Sequence, residues 1–177
     1  YILLNFDYSQ KENMTILVKN KHTLQIDEFK FRCCIGKKGS TSNKKEGDKK
    51  TPKGTFEIEN LYFREDRIRK PLTLLKCIKI KKNMGWCDDI KSKRYYNKLI
   101  KVKKNLRYEK LYRRDRKYDF IIPINYNTRK TKIGAGSAIF MHLTKKYSPT
   151  DGCIAIQKKD FLILLRLINK NTKIKIA

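Results

Sequence analysis

Residues 137–177 read SAIFMHLTKKYSPTDGCIAIQKKDFLILLRLINKNTKIKIA, and this stretch decides the fold. SAIFMHL alternates like a strand that ends at His142, and SPTDG predicts a tight turn just before Cys153. KDFLILLRLINKN predicts a helix with Asp160 at its N-cap and a stop at residues 169–171. Because that helix is apolar almost all round, we expect it to be well buried. TKIKIA alternates again and predicts a closing strand.

The same alternation recurs upstream of residue 137, with short turn-rich pieces between the strand-like segments. Such a pattern is typical of a mostly antiparallel β protein. NLRYEKLYRRD is the one other segment for which we expect a helical turn. At 177 residues, the chain is expected to form a single domain over residues 1–177. The strand-like segments are YILLNF, MTILVK, HTLQIDEFKFRCCIG, TFEIENLYF, LLKCIKIK and YDFIIPINYN.

A net charge of +27 implies attraction to polyanions such as nucleic acid, anionic lipid or an acidic envelope polymer. Lysine, isoleucine and asparagine are abundant together, which translation of an AT-rich genome would also produce. The sequence holds no RNA-binding signature and no clear recognition helix, so we expect no dedicated nucleic-acid partner. The high charge also favours a monomer.

No segment of the sequence predicts a membrane span. The longest apolar run is FLILL, far below the roughly 20 residues that a spanning helix needs. The chain begins with Tyr1 rather than Met, and we expect an N-terminal signal or anchor to have preceded it.

The chain has 5 cysteines, an odd number that leaves at least one thiol free in any pairing scheme. No two of them have C-x-x-C spacing, so a structural zinc site is not expected. An unpaired thiol is a natural candidate for chemistry. The cysteines are Cys33, Cys34, Cys77, Cys87 and Cys153.

Cys153 and His142 form the candidate catalytic pair. A thiol becomes a nucleophile when an imidazole assists it and backbone N–H groups receive the developing oxyanion. Gly152 lets a substrate carbonyl approach the backbone closely, so the N–H groups of Gly152 and Cys153 are candidate oxyanion donors. Taken alone, the pattern fits either this pair or a buried thiol beside an incidental histidine.

The wider sequence resembles the catalytic region of the L,D-transpeptidases, the YkuD-type cysteine enzymes of bacterial peptidoglycan. Their pattern is a histidine, a variable loop and then [ST]-x-G-C, which His142, Thr150, Gly152 and Cys153 match. TPKGTF resembles the family's TP-x-G-x-F segment, and LYFREDR and GWCDD resemble a Gram-negative subgroup. The resemblance is clearest over residues 30–177. It implies a mainly β fold, a β-sandwich of mostly antiparallel strands with one buried helix after the catalytic cysteine.

The resemblance also implies a substrate groove. Two positions depart from the family pattern: Asp151 stands where many members have His or Arg, and Ala155 replaces an arginine associated with the substrate carboxylate. Arg64 and Arg67 are the candidates to replace it. Leu143 follows the histidine, so we expect a backbone carbonyl to orient the imidazole. The residues expected to bind substrate are Thr150, Asp151, Arg64, Trp86, Asp88 and Ser137.

The mechanism that the resemblance implies needs no metal or cofactor. The Cys153 thiolate attacks a peptidoglycan stem peptide to form a thioester, and an amine of a neighbouring stem then takes the acyl group. With water in place of the amine, the same site is an L,D-carboxypeptidase or endopeptidase. The enzyme would work in the periplasm or cell envelope. The alternative from another class is a non-catalytic basic module that binds envelope polymer or nucleic acid.

Overall fold

The computed structural model describes residues 14–177, so the predicted strand YILLNF lies outside the described residues. The described part is mainly β, as predicted. Its elements are β1 (Thr15–Lys19), β2 (Thr23–Ile26), β3 (Phe29–Cys34), β4 (Ser40–Thr41), β5 (Thr51–Pro52), β6 (Gly54–Glu57), β7 (Leu61–Phe63), β8 (Cys77–Lys79), β9 (Met84–Cys87), β10 (Leu99–Lys101), β11 (Tyr108–Lys110), β12 (Phe120–Pro123), β13 (Phe140–Leu143), β14 (Ile154–Ile156), α1 (Lys158–Leu167) and β15 (Lys173–Ile176).

Ten of the strands form one large sheet in the order β6-β15-β1-β2-β3-β14-β13-β12-β7-β8. Most neighbours pair antiparallel, as in the β1–β2–β3 meander, where short turns join successive strands. The exceptions are the β13–β14, β1–β15 and β7–β8 pairs, which are parallel. The predicted closing strand is confirmed as β15, which lies between β1 and β6.

The large sheet has a hydrophobic core on each face. The main core combines aliphatic residues of β1, β3, β12, β13 and β14 with the buried side of α1, including Phe161 and Leu164. The second core is smaller and more aromatic, and it includes Trp86, Tyr118 and Phe140. It lies under a three-stranded sheet of order β10-β9-β11.

The helix differs from its prediction in two ways. Its N-cap is Gln157, and Asp160 lies in the first turn, where a carboxylate still favours the positive end of the helix dipole. The helix also buries one side rather than all of its surface, since Ile163 is 41% exposed. α1 ends at Leu167, before the predicted stop at residues 169–171.

The helical turn expected in NLRYEKLYRRD is wrong, because this segment contains strand β11. Tyr108 pairs with Cys87, and Lys110 pairs with Gly85. Gly85 leaves room for the Tyr108 ring: a Cβ built there would lie 2.6 Å from a ring carbon. Pairing with β9, which is distant in sequence, therefore overrides the weak local preference of this segment for a helical turn.

Candidate active site

His142 and Cys153 lie on the same face of two adjacent parallel strands. In the β13–β14 register, His142 is opposite Ala155. Successive residues of a strand point to opposite faces, so Cys153, two positions before Ala155, shares the face of His142. Phe140 and Cys153 contact the second core, whereas Met141 and Ile154 belong to the main core.

A cleft of about 650 Å³ opens over this face, and both His142 and Cys153 line it. Of the residues predicted to bind substrate, it also brings together Asp88, Ser137, Thr150 and Asp151. Arg64 and Trp86 are absent from its walls. The basic residues that line it are Lys37, Lys44, Lys49, Arg107, Arg113, Lys117, Lys145 and Lys146.

The Cys153 sulfur is held by two backbone groups. The N–H of Phe140 donates to Sγ at 3.4 Å, and the thiol donates to the carbonyl of Ala138 at 3.3 Å. Burial raises the pKa of Cys153 to about 12, although the Phe140 N–H acts in the opposite direction. The group is therefore a protonated thiol at neutral pH.

The His142 ring is buried and oriented by main chain and by an aromatic neighbour. Its Nδ1 lies 3.0 Å from the carbonyl oxygen of Leu143, and the Tyr118 ring packs against it at 5.2 Å. A carbonyl can only accept, so Nδ1 carries the proton. Burial lowers the pKa of His142 to about 4, and nearby Lys117 and Arg113 lower it further. At neutral pH the ring is therefore uncharged, and Nε2 has a free lone pair. The backbone carbonyl expected beside the histidine is that of Leu143.

The turn before Cys153 is closed by the Thr150 hydroxyl. Thr150 Oγ1 accepts from the N–H of Gly152 at 3.1 Å and donates to the carbonyl of Cys153 at 2.6 Å. Gly152 has φ +143°, and a Cβ there would lie 3.0 Å from the carbonyl oxygen of Lys50. The Thr150 hydroxyl and the Gly152 N–H are thus both used within the turn. This leaves the N–H of Cys153 as the candidate oxyanion donor of the predicted pair.

The loop of residues 36–54 forms one wall of the cleft and is tied to the opposite side by Glu46. The Glu46 carboxylate accepts from the Tyr96 hydroxyl at 2.5 Å and from the Ser137 hydroxyl at 2.7 Å. Glu46 also donates its own N–H to the carbonyl of Gly134 at 2.8 Å. Ser137 therefore lines the cleft, but its hydroxyl holds this loop.

Trp86 packs in the second core, which Cys153 also contacts, and does not line the cleft. Its indole N–H donates to Asn97 Oδ1 at 2.9 Å, and its ring packs edge-on against Phe140 at 5.2 Å. The same oxygen of Asn97 accepts the N–H of Ala138 at 3.1 Å. Ala138 has φ +50°, a conformation that few residues other than glycine adopt, and its carbonyl contacts the Cys153 thiol. Trp86 was predicted to bind substrate, but the structure places it outside the cleft walls with its one polar atom used inside the fold.

Arg64 likewise does not line the cleft. Its side chain is 2% exposed, makes two contacts of 2.7 Å with Asp66 and donates to the carbonyl of Arg113 at 2.6 Å. The Tyr112 ring covers its guanidinium at 3.5 Å. Arg67 pairs with Asp119 at 3.2 Å and does not line the cleft either. Both candidates for the missing carboxylate ligand have protein partners, so the cationic groups at the cleft come from other segments.

The acidic residues at the cleft also have partners. Asp88 accepts from Arg107 Nε at 3.1 Å, and Asp151 pairs with Lys37 at 3.2 Å on the exposed rim. Asp89 caps backbone N–H groups of Lys91 and Arg107. Within residues 14–177, no three His, Cys, Asp or Glu side chains form a group that could hold a metal ion.

Several residues that shape the site are not among those that the sequence predicts. Glu46 could have been noticed because it and Asp48 are the only two acids in the lysine-rich loop of residues 36–54. Thr51 was identified only as part of a motif, although its hydroxyl contacts the carbonyl of Gly152 at 2.9 Å. Tyr118 gave no signal, because its contact with His142 depends on a strand distant in sequence.

The fold is of the L,D-transpeptidase type, with a thiol and an imidazole in one cleft of a mainly β structure. The profile of the YkuD family, the L,D-transpeptidase catalytic domain, matches residues 4–176, and the chain belongs to this family. A search of the curated proteins finds no match. No helix among residues 14–177 has the length and apolar character needed to cross a membrane.

Solved structures with a similar fold share little sequence with this chain. The helical cell shape determining protein Pgp2 from Campylobacter jejuni is 15% identical with a TM-score of 0.50, covering 95% of this chain and 48% of that one. Bd1075 from Bdellovibrio bacteriovorus is 16% identical with a TM-score of 0.48, covering 94% and 48%. L,D-transpeptidase 1 from Mycobacterium tuberculosis is 10% identical with a TM-score of 0.45, covering 94% and 60%. The chain thus spans between 48% and 60% of the length of these structures.

Proposed function

We propose that this chain is the catalytic domain of a peptidoglycan L,D-transpeptidase, with Cys153 as nucleophile and His142 as general base and acid. The observation that carries the proposal is the placement of both side chains on one face of β13 and β14, in a cleft of a YkuD-family fold. Residues 1–177 would act as a single domain and as a monomer. Since the substrate is peptidoglycan, the enzyme would work in the periplasm or cell envelope.

The ionisation of the pair favours general-base attack over a resting thiolate. The pKa of Cys153 is raised to about 12 and that of His142 is lowered to about 4, both by burial, so both groups are neutral at pH 7. The proton would pass from Sγ to Nε2 of His142 as sulfur attacks the carbonyl of the donor stem peptide. Leu143 keeps the other ring nitrogen protonated, which leaves Nε2 as the acceptor.

The remaining steps return the site to its starting state. The C–S bond forms, and the carbonyl oxygen becomes an oxyanion beside the Cys153 N–H. The C–N bond then breaks, and the leaving amine takes the proton from His142 Nε2. An amine of a neighbouring stem attacks the thioester and gives its proton to the same nitrogen, and the departing sulfur recovers it. With water as acceptor, the product is a shortened stem, and the enzyme acts as an L,D-carboxypeptidase.

Intact-mass spectrometry with a carbapenem, a cyclic amide that acylates a nucleophilic thiol, tests the proposal. We expect one adduct, mapped to Cys153, that is absent in Cys153→Ala and strongly slowed in His142→Gln. Cys87→Ala is the matched control, because Cys87 is also a free thiol but does not line the cleft. Purified muropeptides then distinguish cross-linked from shortened products. An adduct on Cys87, or equal inertness of wild type and Cys153→Ala with salt-sensitive DNA binding, would favour the non-catalytic basic module.

A further inference from the structure

The Thr51 hydroxyl joins two segments that are 101 residues apart in sequence. Thr51 is fully buried in β5; its Oγ1 accepts from the N–H of Gly36 at 2.9 Å and donates to the carbonyl of Gly152 at 2.9 Å. A hydroxyl has a single proton, so the Gly152 carbonyl is the one group to which Thr51 donates. The contact fixes the direction in which that carbonyl points.

The direction of the Gly152 carbonyl decides the direction of the Cys153 N–H. Both groups belong to one peptide unit, which is planar and trans, so the C=O and the N–H point to opposite sides. With the carbonyl held by Thr51, the N–H of Cys153 points away from β5. The N–H of Gly152 is not a second donor, because it already bonds to Thr150.

Because residue 152 is a glycine, the orientation of the Gly152–Cys153 peptide depends on the hydrogen bond from Thr51. A peptide that follows glycine meets little steric resistance to rotation, because glycine tolerates backbone angles that other residues avoid. A rotated peptide would aim the carbonyl of Gly152, rather than the N–H of Cys153, at a developing oxyanion. That would replace attraction by repulsion at the point where charge appears.

We propose that Thr51 is a positioning residue for acyl transfer: its hydroxyl holds the Gly152–Cys153 peptide so that the Cys153 N–H faces the substrate oxyanion. The inference rests on the proposed function, because it assumes that Cys153 attacks a carbonyl. Thr51 does not touch the substrate and acts through the peptide that it fixes.

Two reactions of the same thiol separate this role from a merely structural one. Acylation by a carbapenem passes through a tetrahedral oxyanion. Alkylation by iodoacetamide forms a C–S bond as iodide leaves and the thiol proton goes to base, with no oxyanion at any stage. Both rates can be measured at Cys153 by peptide mass spectrometry on the full chain, in wild type and in Thr51→Val, which keeps the shape of the side chain and removes the hydroxyl.

The matched control is Thr172→Val. Thr172 is also a fully buried threonine whose hydroxyl accepts a backbone N–H, that of Asn169 at 3.0 Å, but it lies after α1 and does not line the cleft. We expect Thr51→Val to slow acylation by about tenfold or more, since loss of an oxyanion donor costs about 10²–10³ in rate. Its alkylation rate should stay within about twofold of wild type. Thr51→Ser should restore acylation, and Thr172→Val should leave both rates unchanged.

Three outcomes would overturn the inference: unchanged acylation in Thr51→Val, an equal loss in both reactions, or no recovery in Thr51→Ser. If circular dichroism shows that Thr51→Val is unfolded, Thr51→Ala takes its place. A lower ratio of the acylation rate to the alkylation rate than in wild type would then support the inference, and an unchanged ratio would overturn it. The proposed function fails by a different result, namely a wild-type Cys153 that the carbapenem does not acylate at all.

Discussion

The two faces of β13 and β14 use the same backbone for different purposes. On one face, Met141, Ile154 and Ile156 are fully buried in an aliphatic core with α1. On the other, His142 and Cys153 lie beside a cleft and make hydrogen bonds to main-chain groups. The first face stabilises the strands, and the second depends on them for its geometry. Substitutions on the two faces of these strands should therefore give opposite mutational results.

The largest expected effect comes from His142→Gln, on the cleft face. Glutamine keeps a polar side chain but cannot act as a base, so acylation of Cys153 should fall by about 10²–10⁴. The rate of adduct formation measures this, with the unfolding transition as a check that the fold is intact. A variant that acylates at the wild-type rate would remove His142 from the mechanism.

Ile156→Ala makes the matched change on the opposite face, in the strand that follows Cys153. Loss of a fully buried isoleucine should lower the free energy of unfolding by about 2–5 kcal/mol. Acylation per folded molecule should remain near wild type. Urea denaturation gives the stability, and adduct formation well below the transition gives the rate. A stable but inactive variant would contradict the division between the two faces.

A smaller effect follows from the buried histidine when the pH is lowered. Native His142 has a pKa of about 4, below its ordinary value of 6.5, so between these values the unfolded chain binds more protons. The stability that depends on neutral His142 is complete above about pH 6.5 and is lost as pH falls toward 4. The loss should reach about 3 kcal/mol. Urea titrations across this range should show a shallower pH dependence in His142→Gln; an identical slope would disprove the assignment.

Asp151→Asn should have the smallest effect, because Asp151 lies on the exposed rim of the cleft. The side chain of Asp151 is 73% exposed, and its pair with Lys37 is open to solvent. Exposed pairs contribute less than about 1 kcal/mol, so the melting temperature should hardly change. Steady-state kinetics on muropeptides then test for a contact between Asp151 and the substrate. A raised KM at constant kcat would support the predicted role of Asp151 in binding. Unchanged KM and kcat would contradict that role.

Much of the fold could be predicted from the sequence. The alternation of apolar and polar residues indicates where strands lie, and the family resemblance indicates how they are arranged. The alternation in SAIFMHL and TKIKIA predicted β13 and β15, and the resemblance to the L,D-transpeptidases predicted their arrangement. The resemblance of GWCDD to a Gram-negative subgroup stays a prediction. The catalytic assignments of Cys153 and His142 also stay predictions, although the structure places both residues in one cleft.

The predicted site residues that do not line the cleft lie outside it for a common physical reason. A motif names residue types but not the direction of each side chain, which depends on partners elsewhere in the chain. Arg64 turns inward because Asp66 and the Arg113 carbonyl satisfy its guanidinium, and Trp86 does so because Asn97 accepts its indole N–H. Glu46 was overlooked for the same reason, since its partners Tyr96 and Ser137 lie far from it in sequence.

The tie between Thr51 and Gly152 also bears on how the protein folds. It closes a loop of 101 residues, and such closure must overcome chain entropy before the contact contributes any energy. β14 pairs with β3 early in the chain, and β15 pairs with both β1 and β6. The surroundings of Cys153 are thus assembled by contacts between residues more than 100 positions apart in sequence. A chain still being synthesised would carry the cysteine without them, and the site would form only after β14 has paired with β3.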